Sequence, residues 1–162
     1  MKKVVLSFLG FATVLSLSLT SCADPCKDVD CNNGECVEGN CVCDAGYEGT
    51  NCDVEWATKF LALNANATDI CVSGSYNYTV DIDRINEATI QITNLGDFNI
   101  VSQVNAVISN GTDITMTNFT DNAGRTWNAT GSINNAGTTL TINYVVTFDD
   151  GSTDTCTTTI SL

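Results

Sequence analysis

The 162-residue chain contains no histidine, one proline, and only 6 lysine and arginine residues against 19 aspartate and glutamate. Each shortage narrows the field. Histidine is the side chain that most often serves as general acid, general base or metal ligand near neutral pH, and without it neither a Ser–His–Asp triad nor a Cys–His dyad can be assembled. Neither G-x-x-x-x-G-K nor G-x-G-x-x-G occurs, so no phosphate-cradling loop is present. The carboxylate pairs Asp81/Asp83 and Asp149/Asp150 come nearest to hydrolytic machinery. However, Asp81 and Asp83 alternate along the polar face of a strand, and Asp149-Asp150-Gly151 reads as a turn. No enzymatic activity is expected. A formal charge of −13 presents no basic patch to a phosphate backbone, which excludes nucleic acid as a partner. Acidity of this kind keeps a secreted protein soluble.

The chain has little by way of long apolar runs. The longest, Val4 to Leu19, is broken by Ser, Thr and Gly and falls short of the roughly 20 residues that a spanning helix needs. Lys2 and Lys3 precede it, and it ends in Leu19-Thr20-Ser21-Cys22. That ending resembles the bacterial lipobox. The resemblance implies that 1–21 is a lipoprotein signal peptide and that 22–25 is a lipidated N-terminus, with acyl chains on Cys22. The implied partner is a membrane, and the implied location is the bacterial envelope, anchored to the outer membrane or cell surface. Several acyl chains together hold a protein durably, because each buried CH2 adds about 0.8 kcal/mol.

Cysteine, in contrast, is plentiful. Six of the nine cysteines fall between Cys26 and Cys52, in the pattern C-KDVD-C-NNGE-C-VEGN-C-V-C-DAGYEGTN-C. So dense a cluster suits an oxidising compartment, where a module too small for an adequate core is stapled instead. Paired C-x-x-C zinc spacing is absent. The spacing, with Gly46-Tyr47 and Gly49 in its last loop, resembles the EGF-like module, particularly the short-loop variety of tenascin-type matrix proteins. Six cysteines admit many pairings. The resemblance implies Cys26–Cys36, Cys31–Cys41 and Cys43–Cys52 within a module spanning 26–52. Many EGF-like modules bind calcium, through acidic residues just before the first cysteine and an Asn or Asp near an aromatic between the third and fourth. Here Ala23-Asp24-Pro25 precedes Cys26, Asp28 and Asp30 follow it, and Val37-Glu38-Gly39-Asn40 contains no aromatic. Calcium wants six to eight oxygens, so the pattern is incomplete and no cofactor or metal is expected.

Beyond Glu55 the chain changes character. Residues 56–162 hold 20 Thr and 14 Asn, and Pro is absent. After a short lead-in, Trp56 to Leu61, turn signals recur at Ser73-Gly74, Asn86-Glu87, Gly96-Asp97, Asn110-Gly111, Asn122-Ala123-Gly124, Asn135-Ala136-Gly137 and Asp150-Gly151. Between them the apolar residues alternate, as in Tyr76/Tyr78/Val80/Ile82, Trp127/Ala129/Gly131/Ile133 and Leu140/Ile142/Tyr144/Val146/Phe148. The expected fold class is all-β: the disulfide-rich module followed by an eight-stranded antiparallel up-and-down meander closed into a barrel, with a β-sandwich as the alternative. Counting leaves Cys71 and Cys156 once Cys22 and the six module cysteines are set aside. In a closed meander the first and last strands are neighbours, which predicts a Cys71–Cys156 bridge.

Short lead-in, eight-strand meander and C-terminal cysteine together resemble lipocalin-like domains, and small domains that follow an EGF-like module in lipoproteins of Bacteroidetes-type bacteria. The Gly-x-Trp of the lipocalin first strand has no counterpart, since Leu61-Ala62-Leu63-Asn64 stands there. Two functions compete. In one, the outer face or loop tips of a solid barrel bind a protein or glycan. In the other, which the lipocalin resemblance implies, the barrel carries a small apolar ligand. Inward Ala106, Ala129 and Gly131 leave room for one; Tyr78, Trp127, Tyr144 and Phe148 fill it.

Overall fold

The computed structural model describes residues 24–98 and 102–162. Cys22 and the leader 1–21 lie outside the described residues.

The N-terminal module consists of two small hairpins. In the first, β1 (Gly34–Val37) pairs with β2 (Asn40–Cys43); in the second, β3 (Tyr47–Glu48) pairs with β4 (Val54–Glu55). Glu38 and Gly39 join β1 to β2 with φ of 51° and 84°, the pair of positive φ angles that characterises a type I′ turn and matches strand twist. Strands of two to four residues bury little. Within 24–55 only Gly46 and Cys52 are buried, so the module has no apolar core of its own. Disulfides take its place: Cys26–Cys36, Cys31–Cys41 and Cys43–Cys52, with Cα separations of 5.7, 5.5 and 5.2 Å.

The remaining eight strands are β5 (Ala62–Cys71), β6 (Ser75–Asn86), β7 (Thr89–Thr93), β8 (Gln103–Ser109), β9 (Asp113–Thr120), β10 (Thr126–Ile133), β11 (Thr139–Thr147) and β12 (Thr153–Ser161). Each runs antiparallel to its neighbours in the chain, and β12 pairs back onto β5, so the sheet is a closed barrel. The meander is thus realised and the sandwich is not. All seven turn signals fall between consecutive strands of the barrel or at their ends. At the closing seam Cys156 lies opposite Cys71, and the two are bonded.

Period two carries the core. Along β11 burial alternates residue by residue, with Leu140, Ile142, Tyr144 and Val146 inside. Ile90, Ile92, Val80, Ile82, Ile160 and Trp127 meet them from other strands, each at most 2% exposed. Gly131 does not leave a void. A Cβ at Gly131 would stand 2.6 Å from the Thr141 carbonyl and 3.1 Å from Ile114, so the neighbours already occupy that space. Besides the register shift between Arg84 and Asn86, two bulges interrupt the ladders, between Ala62 and Ala65 and opposite Trp127 to Ala129. Each contains an asparagine with positive φ, Asn64 at 52° and Asn118 at 47°. Their backbone N–H groups donate to Asp81 Oδ1 (2.7 Å) and Asn128 Oδ1 (2.9 Å).

Candidate functional site

The two ends of the barrel differ. At the proximal end, where β5 begins, the 3-10 turn Trp56–Lys59 and the following Phe60 close the opening; Ala57 and Phe60 are fully buried in the barrel core. The module docks on this end. Trp56 N–H donates to the Gly46 carbonyl (2.8 Å) and Ala57 N–H to the Glu87 carbonyl (3.0 Å). Arg84 grips Glu55 bidentately, through Nε and through Nη2 at 2.9 Å, while Lys59 pairs with Glu48 at 2.8 Å. Gly46, with φ of 100°, lets the β6–β7 hairpin approach: a Cβ there would stand 2.5 Å from Glu87 Cγ.

Among the described residues the distal end is open. A cavity of about 430 Å3 lies among the β5–β6 hairpin, the Gly96–Phe98 segment after β7 and the β11–β12 hairpin. Its walls include Tyr76, Phe98, Val146 and Phe148; Tyr144 and the Cys71–Cys156 bridge also line it. Its acidic lining residues are Asp97 and Asp154. The aromatic rings are fixed by one another: Phe98 meets Trp127 edge-on at 5.9 Å and Phe148 at 5.8 Å, and Trp127 tilts against Tyr144 at 5.2 Å.

Among the inward-facing residues stands a group unusual for a barrel interior. Asp69 is 1% exposed and accepts hydrogen bonds from Tyr144 Oη (2.6 Å) and from the Thr158 hydroxyl. No ion pair of the described residues reaches it. Burial, then the hydrogen bond and charge of Asp69, push the Tyr144 phenol far above its ordinary value. Burial and the Asp69 charge do the same to Tyr78, whose oxygen accepts the Gly96 N–H at 3.0 Å. Both phenols therefore stay protonated and available as donors.

A second buried carboxylate organises the β9–β10 turn. Asp121 accepts from the Ala123 and Arg125 N–H groups (2.9 and 3.0 Å), from Arg125 Nε (2.7 Å) and from Trp127 Nε1 (3.0 Å). Burial by itself raises its pKa, but the Trp127, Arg125 and backbone donors together hold it below the ordinary carboxylate value. Arg125 also lies over the Phe98 ring, 4.2 Å from its centroid.

The cysteines expected to pair are bonded as Cys26–Cys36, Cys31–Cys41, Cys43–Cys52 and Cys71–Cys156. The residues weighed for calcium are not drawn together. Among the described residues, the group of carboxylates and sulfurs that converges within 4.8 Å is Asp69, Cys71 and Cys156, and those sulfurs are bonded to each other. Asp24 Oδ1 accepts the Cys26 N–H at 2.9 Å, and Asp28 and Asp30 border a recess on the module surface. Asp150 accepts both the N–H and the hydroxyl of Ser152 (2.9 and 2.6 Å), which lowers its pKa and tightens the turn.

Sequence reasoning passed over Asp69. The signal was parity: Asp69 lies two residues before Cys71, which must face inward to reach Cys156. A comparison with protein-family models and with curated proteins finds no match.

Proposed function

We propose that this chain is a lipid-anchored protein of a bacterial envelope, held to the outer membrane or cell surface through Cys22, in which an EGF-like pedestal presents a lipocalin-like barrel for non-catalytic binding. Three residues separate Cys22 from Cys26, so the pedestal stands close to the lipid. The observation that carries the reading is the opposition of the two ends. The module and the Trp56–Phe60 plug occupy the proximal end, and the open, aromatic-walled end points the other way. A binding surface on an anchored protein belongs on the end farthest from its anchor. The favoured partner is a protein or glycan that meets the distal rim, where Val72 is 85% and Tyr76 40% exposed.

A second reading has its own support. The cavity falls in the lower part of the size range of small-molecule sites, roughly 300–1,000 Å3. It therefore suits a small ligand held in the mouth, above an interior filled by side chains.

Two experiments test these readings. Cys22→Ser is expected to abolish metabolic palmitate labelling and release the protein; unchanged labelling would end the lipoprotein reading. Binding to glycan and envelope-protein arrays is expected to fall at least tenfold in Val72→Arg at the distal rim and to persist in Thr157→Arg on the outer barrel wall. The opposite pattern would move the binding surface to the wall.

A further inference from the structure

The distal cavity is chemically one-sided. We propose that it receives an ammonium group, carried by a small organic amine or by the lysine side chain of a partner protein; the proposal rests on the distal-end reading above. Four aromatic side chains, Tyr76, Phe98, Tyr144 and Phe148, line the cavity, and among the described residues the charged ones lining it are Asp97 and Asp154. The π-face of an aromatic ring attracts a cation, most strongly where water is thinned out. No Lys or Arg is among the lining residues. Arg125 lies over Phe98 without lining the cavity, and Asp121 answers its charge.

The carboxylates are placed to receive a cation. No ion pair of the described residues involves Asp97 or Asp154; those pairs engage Lys59, Arg84 and Arg125. Asp154 is held in orientation by the Ser73 N–H (3.3 Å), the Ser73 hydroxyl and the Thr155 N–H (2.9 Å). All of these donors are neutral, so its negative charge is uncompensated. The third contribution comes from Tyr144. Its hydroxyl proton is committed to Asp69, so this phenol offers the cavity no donor to compete with the ligand's own. A group made entirely of N–H donors matches this lining. A carboxylate would meet like charge, and a neutral alkyl group would fill the space while leaving the rim acids unanswered.

The test is a calorimetric titration of the protein with butylammonium chloride, 1-butanol and sodium butyrate, which share a body and differ in charge. Butylammonium is expected to bind saturably, at least tenfold tighter than butanol, with affinity falling as salt is raised; butyrate is expected not to bind. Asp97→Asn with Asp154→Asn should weaken butylammonium at least tenfold and leave butanol unchanged. A neutral peptide carrying one lysine separates the sources. Tighter binding of that peptide points to a protein side chain, and tighter binding of butylammonium to a free amine. Butanol binding as tightly as butylammonium would overturn the assignment of charge while leaving a small-ligand site. Failure of all three probes to bind would overturn the ligand site and leave partner binding at the rim standing.

Discussion

In the module each bridge closes a loop of 9 or 10 residues, and Gly46 and Cys52 are all that is buried between Asp24 and Glu55. In the barrel a single bridge spans 85 residues, and Trp127, Leu140, Ile142 and their neighbours form a continuous apolar core. The difference follows from size. A thirty-residue segment has too much surface for its volume to bury a useful core, so its order rests on covalent closure of the unfolded chain. A barrel of a hundred residues buries enough side chains to stand on the hydrophobic effect. Its bridge secures one seam, the pairing of first and last strands, which has the largest sequence separation of any strand pair.

Reduction should separate the two regions most sharply. Each module bridge contributes about 2–4 kcal/mol, and loss of three exceeds what so small a unit can spare. Hydrogen exchange after reduction is expected to show the amides of 26–52 unprotected and those of β7–β10 still slow. Equal loss in both would mean that the barrel depends on the module's order or on its own seam bridge, which reduction also opens. Removing the seam bridge alone, by Cys71→Ser with Cys156→Ser, should lower stability by about 4–5 kcal/mol in the chain-entropy model, with β5 and β12 exchanging first. Tyr144→Ala should cost about 3–5 kcal/mol in denaturant unfolding, because it opens the core and removes a donor from Asp69. An effect under about 1 kcal/mol would show that the barrel interior is looser than its burial implies.

Acid should act on the barrel through Asp121. Because its folded pKa is depressed, its contribution is fully present above the unfolded carboxylate value near about 4, and is lost as pH falls through the folded value. Asp121→Asn should therefore cost about 1.5–3 kcal/mol at neutral pH and flatten the acid limb of the stability curve. An unchanged limb would assign acid sensitivity to other groups. The smallest effect is expected from EDTA, which should leave the melting temperature where it was. A calcium site occupied at a hundred times its Kd would add about 2.7 kcal/mol, so a clear calcium-dependent rise would reveal ligands in the Asp24, Asp28 and Asp30 region.

What could be read directly from the chain was what is written at short range. Turns such as Asn110-Gly111 and Asp150-Gly151 depend on two or three adjacent residues, and the inward face of β11 depends on strict alternation. Together these predict eight strands in sequence, and closure then places Cys71 beside Cys156. The parity that turns Cys71 inward also turns Asp69 inward, but local chemistry argues for an exposed aspartate. Only the fold supplies the Tyr144 and Thr158 hydroxyls that make its burial tolerable, from 75 and 89 residues away. The bulges at Asn64 and Asn118 were equally hidden, since their N–H groups find partners on the next strand. So was the packing at the junction. The short lead-in after Cys52 puts the module at the end where β5 begins, but it does not say how the two pack. That was decided by Glu48, Glu55, Lys59 and Arg84 meeting across the junction, and by the Gly46 backbone accommodating Glu87. Period and turn chemistry act between neighbours in the chain, whereas a plug, a buried carboxylate and a cavity exist only when distant segments share the same space.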